Sequence, residues 1–228
     1  MESYKRINEI GMKTDMKGIR NKICYTIGIL AVIFCLSGSI YMMIDGNRNH
    51  TLDIYRQRLE LNYYGTKDTL VNAVDGYIRS IAPESCLNGL TLVNECEKHD
   101  LDIMFVLAQG KIESHFGTKG IAGKTHSVFN VYSYDGKSAD DIRRAGHAYE
   151  HPDESVEPYM RLLKKKYLND GRTEMDLMDK FENSEGQRYA TDKNYESKLL
   201  SAYRSIDDST EIGILWEKML KYKMLAKK

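Results

Sequence analysis

The alternation of apolar and polar positions divides the chain. From Ile23 to Ile44, "ICYTIGILAVIFCLSGSIYMMI", no residue is charged, and a helix of that length spans a bilayer core of about 30 Å. Leu52, Tyr55, Leu59 and Leu61 then fall at near-helical spacing among charges, which predicts a short amphipathic stalk ended by Gly65. From Lys67 the helical pattern is sustained: Leu70, Val74, Tyr77 and Ile81 run up to Pro83, and Leu90 and Val93 open another helix before His99. Residues 127–136, "SVFNVYSYDG", break that period. Their aromatics, valines and closing Asp-Gly predict a strand and turn. Helical stripes resume with Val156, Tyr159, Leu163 and Tyr167, then Leu177 and Phe181, then Leu199, Leu200 and Tyr203. The expected fold class is mainly α, with one small β element, behind a single N-terminal transmembrane helix.

One charge interrupts this order. Residues 108–120 read "AQGKIESHFGTKG", with Asp100 expected to cap their helix and Gly117 to stop it. Helical steps back from Glu113 meet Gly110, Val106 and Ile103, with Leu107 beside them, so a carboxylate falls on the apolar face. Such a group is costly unless it is paired, hydrogen-bonded or protonated. A buried glutamate answering an arginine or a helix end meets that condition, and so does a general acid.

Net charge is zero, 33 basic residues against 33 acidic, which gives no nucleic-acid signal; the 228 residues leave room for one medium domain with accessory segments. Charge placement is more informative. Six Lys/Arg occupy residues 1–22 and three the matching window after the apolar run, so the positive-inside tendency places residues 1–22 in the cytoplasm and the remainder beyond the membrane. A cleavable signal peptide with Ser37 and Ser39 at its cleavage site competes with this reading, as does a buried core helix. The long leading segment and long apolar run favour an uncleaved anchor at 23–44. Cys24 and Cys35 inside the run read as small hydrophobes, whereas Cys86 and Cys96 can pair in an oxidising compartment.

Other motifs carry less. "HAYEH" at 147–151 has the spacing of one zinc-protease class, but Pro152 follows at once and opposes the helix that would carry both histidines, so no metal is expected. No Gly-x-Ser-x-Gly elbow is present, and the lysines at 164–166 read as a solvated helix face. The tail from Ile212 to Lys228 is a basic amphipathic helix with Ile212, Leu215, Trp216 and Met219 on one side. It packs on the domain or contacts a membrane or anionic polymer.

Three blocks carry a resemblance. "AQGKIESHFGT" is similar to an Ala-x-x-x-x-Glu-Ser-x-x-Gly helix end. "SVFNVYSYDG" is similar to an Asn-x-Phe-Gly-Ile…Tyr-Asp strand, with Ser127 and Asn130 standing where that pattern has Asn and Gly. "YLNDG" (167–171) with "GQRYATDKNYESKLL" (186–200) is similar to a Tyr-Ala-Thr-Asp block. In this order they resemble the bacterial and phage glucosaminidase-type peptidoglycan hydrolases, whose fold is lysozyme-like. The likeness spans roughly residues 70–206 and places the catalytic domain at 67–206, between a linker at 45–66 and the C-terminal helix at 207–228.

The resemblance implies a membrane-anchored glycosidase that cuts β-1,4 bonds of the peptidoglycan glycan strand and needs no cofactor. Glu113 would be the general acid, with Tyr189 and Asp192 as partners from the Tyr-Ala-Thr-Asp block; Asp135 is the alternative, and a 2-acetamido sugar can also supply its own nucleophile. Ser127, Asn130, Tyr132 and Tyr134 would bind sugar. On a strand Asn130, Tyr132 and Tyr134 share one side, with Phe129 opposite, toward the core. A muramidase or lytic transglycosylase on the same scaffold is the competing enzyme, and a silent wall-binding or assembly factor the competing class.

Overall fold

The computed structural model describes residues 2–131 and 137–227, with side chains from Ile29 onward except at 44 and 47. Two compact units divide it, Met1–Arg58 and Leu59–Lys228. Helix α1, Glu2–Ile81, supplies the described part of the first unit and opens the second. Its N-terminal part contains one helix long and apolar enough to cross a membrane, and none of that apolar window is buried within the protein. Ile29 is 50% exposed and Phe34 80%, so the core-helix reading does not hold. The hydroxyls of Ser37 and Ser39 bond back to the carbonyls of Phe34 and Cys35, each at 2.9 Å, so the helix satisfies its own polar atoms.

Gly65 does not end a stalk, as the pattern predicts, because α1 continues through it. A glycine inside a helix costs about 1 kcal/mol, and here Leu59, Thr66, Leu70, Val74, Tyr77 and Ile78 bury one face of the same helix. In the second unit α2, Gly89–His99, and α3, Ile103–Ser114, follow. Asp100 takes a left-handed conformation (φ 51°) as the C-cap of α2, and Asp102 is the N-cap of α3, accepting from the Met104 amide at 2.9 Å. The cap expected at Asp100 thus sits two residues later.

Every residue of α3 from Ile103 to Gly110 is buried, so the helix runs through the core rather than along it. Short helices follow it: α4 Ala122–Thr125, α5 Ala139–Arg144, α6 Val156–Leu162 continuing into a π-turn Leu163–Tyr167, and α7 Glu174–Asp179. Helix α8, Tyr195–Ser209, packs most extensively on α3 through Tyr195, Leu199, Ala202 and Ile206. Helix α9, Ile212–Ala226, buries Ile212, Trp216 and Met219 and also packs on α3. The mainly helical class expected from the sequence is observed.

The β element differs. Ser127–Val131 forms a turn in which Asn130 is left-handed (φ 49°) and its amide bonds to the Ser127 carbonyl at 3.1 Å, while residues 132–136 lie outside the described residues. The β pairing among the described residues is a single antiparallel bridge, Glu182 with Arg188. Cys86 and Cys96 are free thiols, one exposed and the other in the core, so the disulfide considered from the sequence is not formed.

Glu97 on α2 ties both ends of the second unit together. Its carboxylate accepts from Tyr63 Oη at 2.7 Å and pairs with Lys67 on α1 and Lys223 on α9, each at 2.6 Å. Despite its burial, these donors hold its pKa down at about 2. A depressed carboxylate contributes stability above the unfolded value, and that contribution disappears as pH falls through the ordinary range toward 2. Glu97→Gln should therefore lower unfolding stability at pH 7 by about 1–3 kcal/mol, the cost of unpairing a partly buried charged network. The difference from wild type should shrink in acid denaturation series below about pH 4.5, the ordinary glutamate range.

Candidate active site

The last turn of α3 is stopped sharply. His115, Phe116 and Gly117 take successive positive φ values of 55°, 54° and 84°, and the Phe116 amide bonds to the Gly110 carbonyl at 2.9 Å. Gly110 permits this reversal, because a Cβ there would lie 3.1 Å from the Phe116 ring. Two left-handed non-glycine residues are strained, and such strain persists where surrounding contacts hold it. Ser85 supplies one such contact, donating to the Phe116 carbonyl at 2.7 Å.

Ser114 and Asn130 then fix where Glu113 points. Ser114 Oγ donates to the Val128 carbonyl at 2.5 Å and accepts from the Gly117 amide at 2.7 Å, so one hydroxyl joins the helix end to the following turn. Asn130 Nδ2 donates to the Glu113 carbonyl at 2.6 Å. Phe129, between these anchors, stacks on Tyr159 with ring centroids 3.7 Å apart.

The Glu113 carboxyl is partly exposed and meets Tyr195, whose hydroxyl donates to Oε1 at 2.5 Å. That hydroxyl in turn accepts from Gln109 Nε2 at 2.9 Å. Among the described residues no cation pairs with Glu113. Burial raises its pKa, opposed by the bonds from Tyr195 and Asn130. Its place in the final turn of α3 adds to the effect, since the negative end of the helix dipole disfavours a carboxylate. The carboxyl is thus biased toward holding a proton, with Tyr195 and Asn130 acting against that bias.

A wall of aromatic rings backs this carboxyl. Tyr189 stacks on Phe181 at 4.5 Å, meets the Tyr195 ring at 5.7 Å and the Tyr167 ring at 5.6 Å, and donates its hydroxyl to the Phe129 carbonyl at 3.0 Å. Burial pushes the Tyr159, Tyr189 and Tyr195 phenols well above the usual tyrosine value, so all three are neutral.

Residues 90–208 match the glucosaminidase family, described as mannosyl-glycoprotein endo-beta-N-acetylglucosaminidase. The chain belongs to the glucosaminidase family. It is accordingly a glycoside hydrolase of the endo-β-N-acetylglucosaminidase type, as the three sequence blocks imply. A search of curated proteins finds no match.

Of the residues named from the sequence, Glu113, Asn130 and Tyr189 come together in this glucosaminidase domain. Asp192 does not join them: it is half-buried in the loop just before α8, where its carboxylate pairs with Lys198 at 2.6 Å and accepts from the Asn194 amide at 2.9 Å. Ser127 is fully buried, its hydroxyl without a partner, and so presents nothing to solvent. Tyr132, Tyr134 and Asp135 lie outside the described residues. Phe129 is buried in the core, as expected from the sequence. His147 and His151 share no helix, and a cavity of about 310 Å³ beside Glu150 and His151 lies apart from the Glu113 carboxyl. Among the described residues no His, Cys, Asp and Glu group is arranged for a metal.

The sequence pattern alone singles out neither Tyr195 nor Gln109. Extending the Leu199 stripe back one turn reaches Tyr195, and Gln109 stands four residues before Glu113, so both signals were positional. For stability the sign follows from the raised pKa of Glu113. The folded protein keeps its proton above the unfolded value, so Glu113 destabilises the fold increasingly as pH rises through that window. Glu113→Gln, which still accepts from Tyr195, should raise the melting temperature at pH 7 and lose that advantage near pH 4, as thermal melts at the two pH values will read.

Proposed function

We propose that this glucosaminidase cleaves the β-1,4 bond on the reducing side of N-acetylglucosamine in peptidoglycan, with Glu113 as general acid. The observation that carries the reading is the carboxyl itself: partly exposed, biased toward its protonated form by burial, and bonded by a neutral phenol instead of a cation. Protonation of the glycosidic oxygen lets the C1–O bond break as positive charge develops at C1. The three bonds at the end of α3 set the direction from which the proton arrives.

For the second group we favour the substrate's own 2-acetamido oxygen, which attacks C1 and forms a cyclic oxazolinium while the leaving hydroxyl takes the Glu113 proton. Water then opens that ring, giving its proton to the Glu113 carboxylate and restoring the acid. Asp192 is committed to Lys198, and no second carboxylate among the described residues bonds into the Glu113 cluster. Tyr189 supports the site as an aromatic wall and through its bond to Phe129. Asn130 holds the backbone of Glu113, and with Tyr132 and Tyr134 it is proposed to line the sugar groove.

We further propose that residues 23–44 anchor the protein, with residues 1–22 cytoplasmic and the catalytic domain on the wall side. The exposed apolar helix and the six-to-three excess of Lys/Arg before it support this orientation. A reporter fused after Lys228 should be active outside the cytoplasm and silent inside it; activity only inside would refute the orientation.

Wild type in detergent should release fragments with reducing-end N-acetylglucosamine from isolated glycan strands, read by mass spectrometry. An anhydro-muramic product would instead assign a lytic transglycosylase, reducing-end muramic acid a muramidase, and no release a wall-binding factor. Glu113→Gln should lower cleavage by about 10²–10⁴-fold or more, the usual contribution of a general acid. Activity should fall on the alkaline side as Glu113 loses its proton, at a pH above the ordinary glutamate value.

A further inference from the structure

Gln109 is fully buried in the middle of α3, one turn before Glu113. Its Nε2 and Oε1 have unequal fates: Nε2 lies 2.9 Å from Tyr195 Oη, while Oε1 is buried with no partner. A half-satisfied amide in a core helix costs stability, and an apolar residue between Ala108 and Gly110 would remove that cost. Tyr195 accounts for its presence. An amide nitrogen can only donate, and a phenol has one proton. With its oxygen occupied by Gln109, the Tyr195 O–H must point toward Glu113 Oε1, 2.5 Å away.

We propose that Gln109 is a positioning residue that fixes the direction of the Tyr195 O–H bond and so confines the proton of Glu113 to Oε2, the oxygen left for the glycosidic oxygen. The inference rests on Glu113 being the acid. Without the amide, Tyr195 is free to turn and accept a proton from Oε1–H, which holds the acid's proton away from the substrate. The same amide polarises the phenol, because hydrogen bonds in a file strengthen one another, and a better donor stabilises the carboxylate formed after proton transfer. Gln109 thus acts at two points of the cycle through a single contact.

The titratable groups facing Glu113 are Tyr195 from α8, Tyr189 from the loop before it and Tyr159 from α6, all neutral phenols. On α3 itself, Lys111 lies over the Tyr77 ring, 5.8 Å from its centroid. The hydrogen-bonded file therefore answers to Tyr195 and Gln109 rather than to a neighbouring charge.

The test is a double-mutant cycle on the full chain in detergent, with cleavage of glycan strands followed across pH. Gln109→Met, with Gln109→Leu alongside so that one packing failure decides nothing, should lower kcat roughly three- to tenfold, the effect of one neutral hydrogen bond, and leave KM nearly unchanged. The alkaline limb should move to higher pH, because a less polarised Tyr195 stabilises the carboxylate less. Both variants should melt no lower than wild type. In a Tyr195→Phe background the same substitutions should alter neither kcat nor the limb. An unmoved limb in both folded Gln109 variants, or an equal loss in the Tyr195→Phe background, would overturn the proposal. Glu113→Gln in the same series keeps the two ideas apart: retained activity there sinks the assignment of the acid, whereas a dead Glu113→Gln beside indifferent Gln109 variants sinks only the positioning role.

Discussion

The hydrogen bond from Tyr195 to Glu113 is the contact on which the rest of the site depends. A carboxyl drawn partly out of water usually finds a cation or gives up its charge. Glu113 has a phenol, a 2.5 Å bond and burial that raises its pKa. A lysine or arginine in that place would hold the carboxylate ionised and remove the proton a glycosidase acid must deliver. The neutral donor avoids this while still favouring the ionised form. Packing of α8 on α3 supplies that donor, so the most extensive helix contact in the domain also makes the Glu113–Tyr195 bond.

Ser114 and Gly117 give the helix-end motif a physical meaning. The serine is a clamp, bonded both to the turn at Val128 and to the Gly117 amide, and the glycine completes a run of three left-handed residues that ends the helix at once. A helix that continued would carry the chain past the aromatic wall. Ending it there leaves Glu113 in the final turn, where dipole and burial act in the same direction on its pKa. Glu97 performs a different task with the opposite electrostatics. Two lysines and a tyrosine keep it ionised and join the domain's first and last helices to α2. The two glutamates show how their partners, more than burial alone, decide the charge.

The sequence exposed Glu113 because a carboxylate interrupts an apolar period, a signal that survives without any knowledge of neighbours. It exposed the mainly helical class for the same reason. Where it failed, the deciding contacts were distant along the chain. Aromatics and valines at 127–131 read as strand, but Phe129 is drawn onto Tyr159 and Asn130 onto the Glu113 carbonyl, which bends the segment into a turn. Tyr189 and Asp192 stand in one block of the sequence, which suggests that they act together. The fold turns Tyr189 into the aromatic wall and leaves Asp192 with Lys198 at the surface. Tyr195, three residues further on, reaches across 82 positions to Glu113, and no local pattern reports such a meeting.

Burial should make Glu113 hold its proton beyond the range of an ordinary glutamate. Carbon-13 NMR of the protein labelled at glutamate side-chain carboxyls, with the Glu113 resonance assigned by its loss in Glu113→Gln, measures this directly. The titration midpoint should lie above the ordinary value of about 4.3, lifted further in Tyr195→Phe. A midpoint at or below that value in wild type would contradict this.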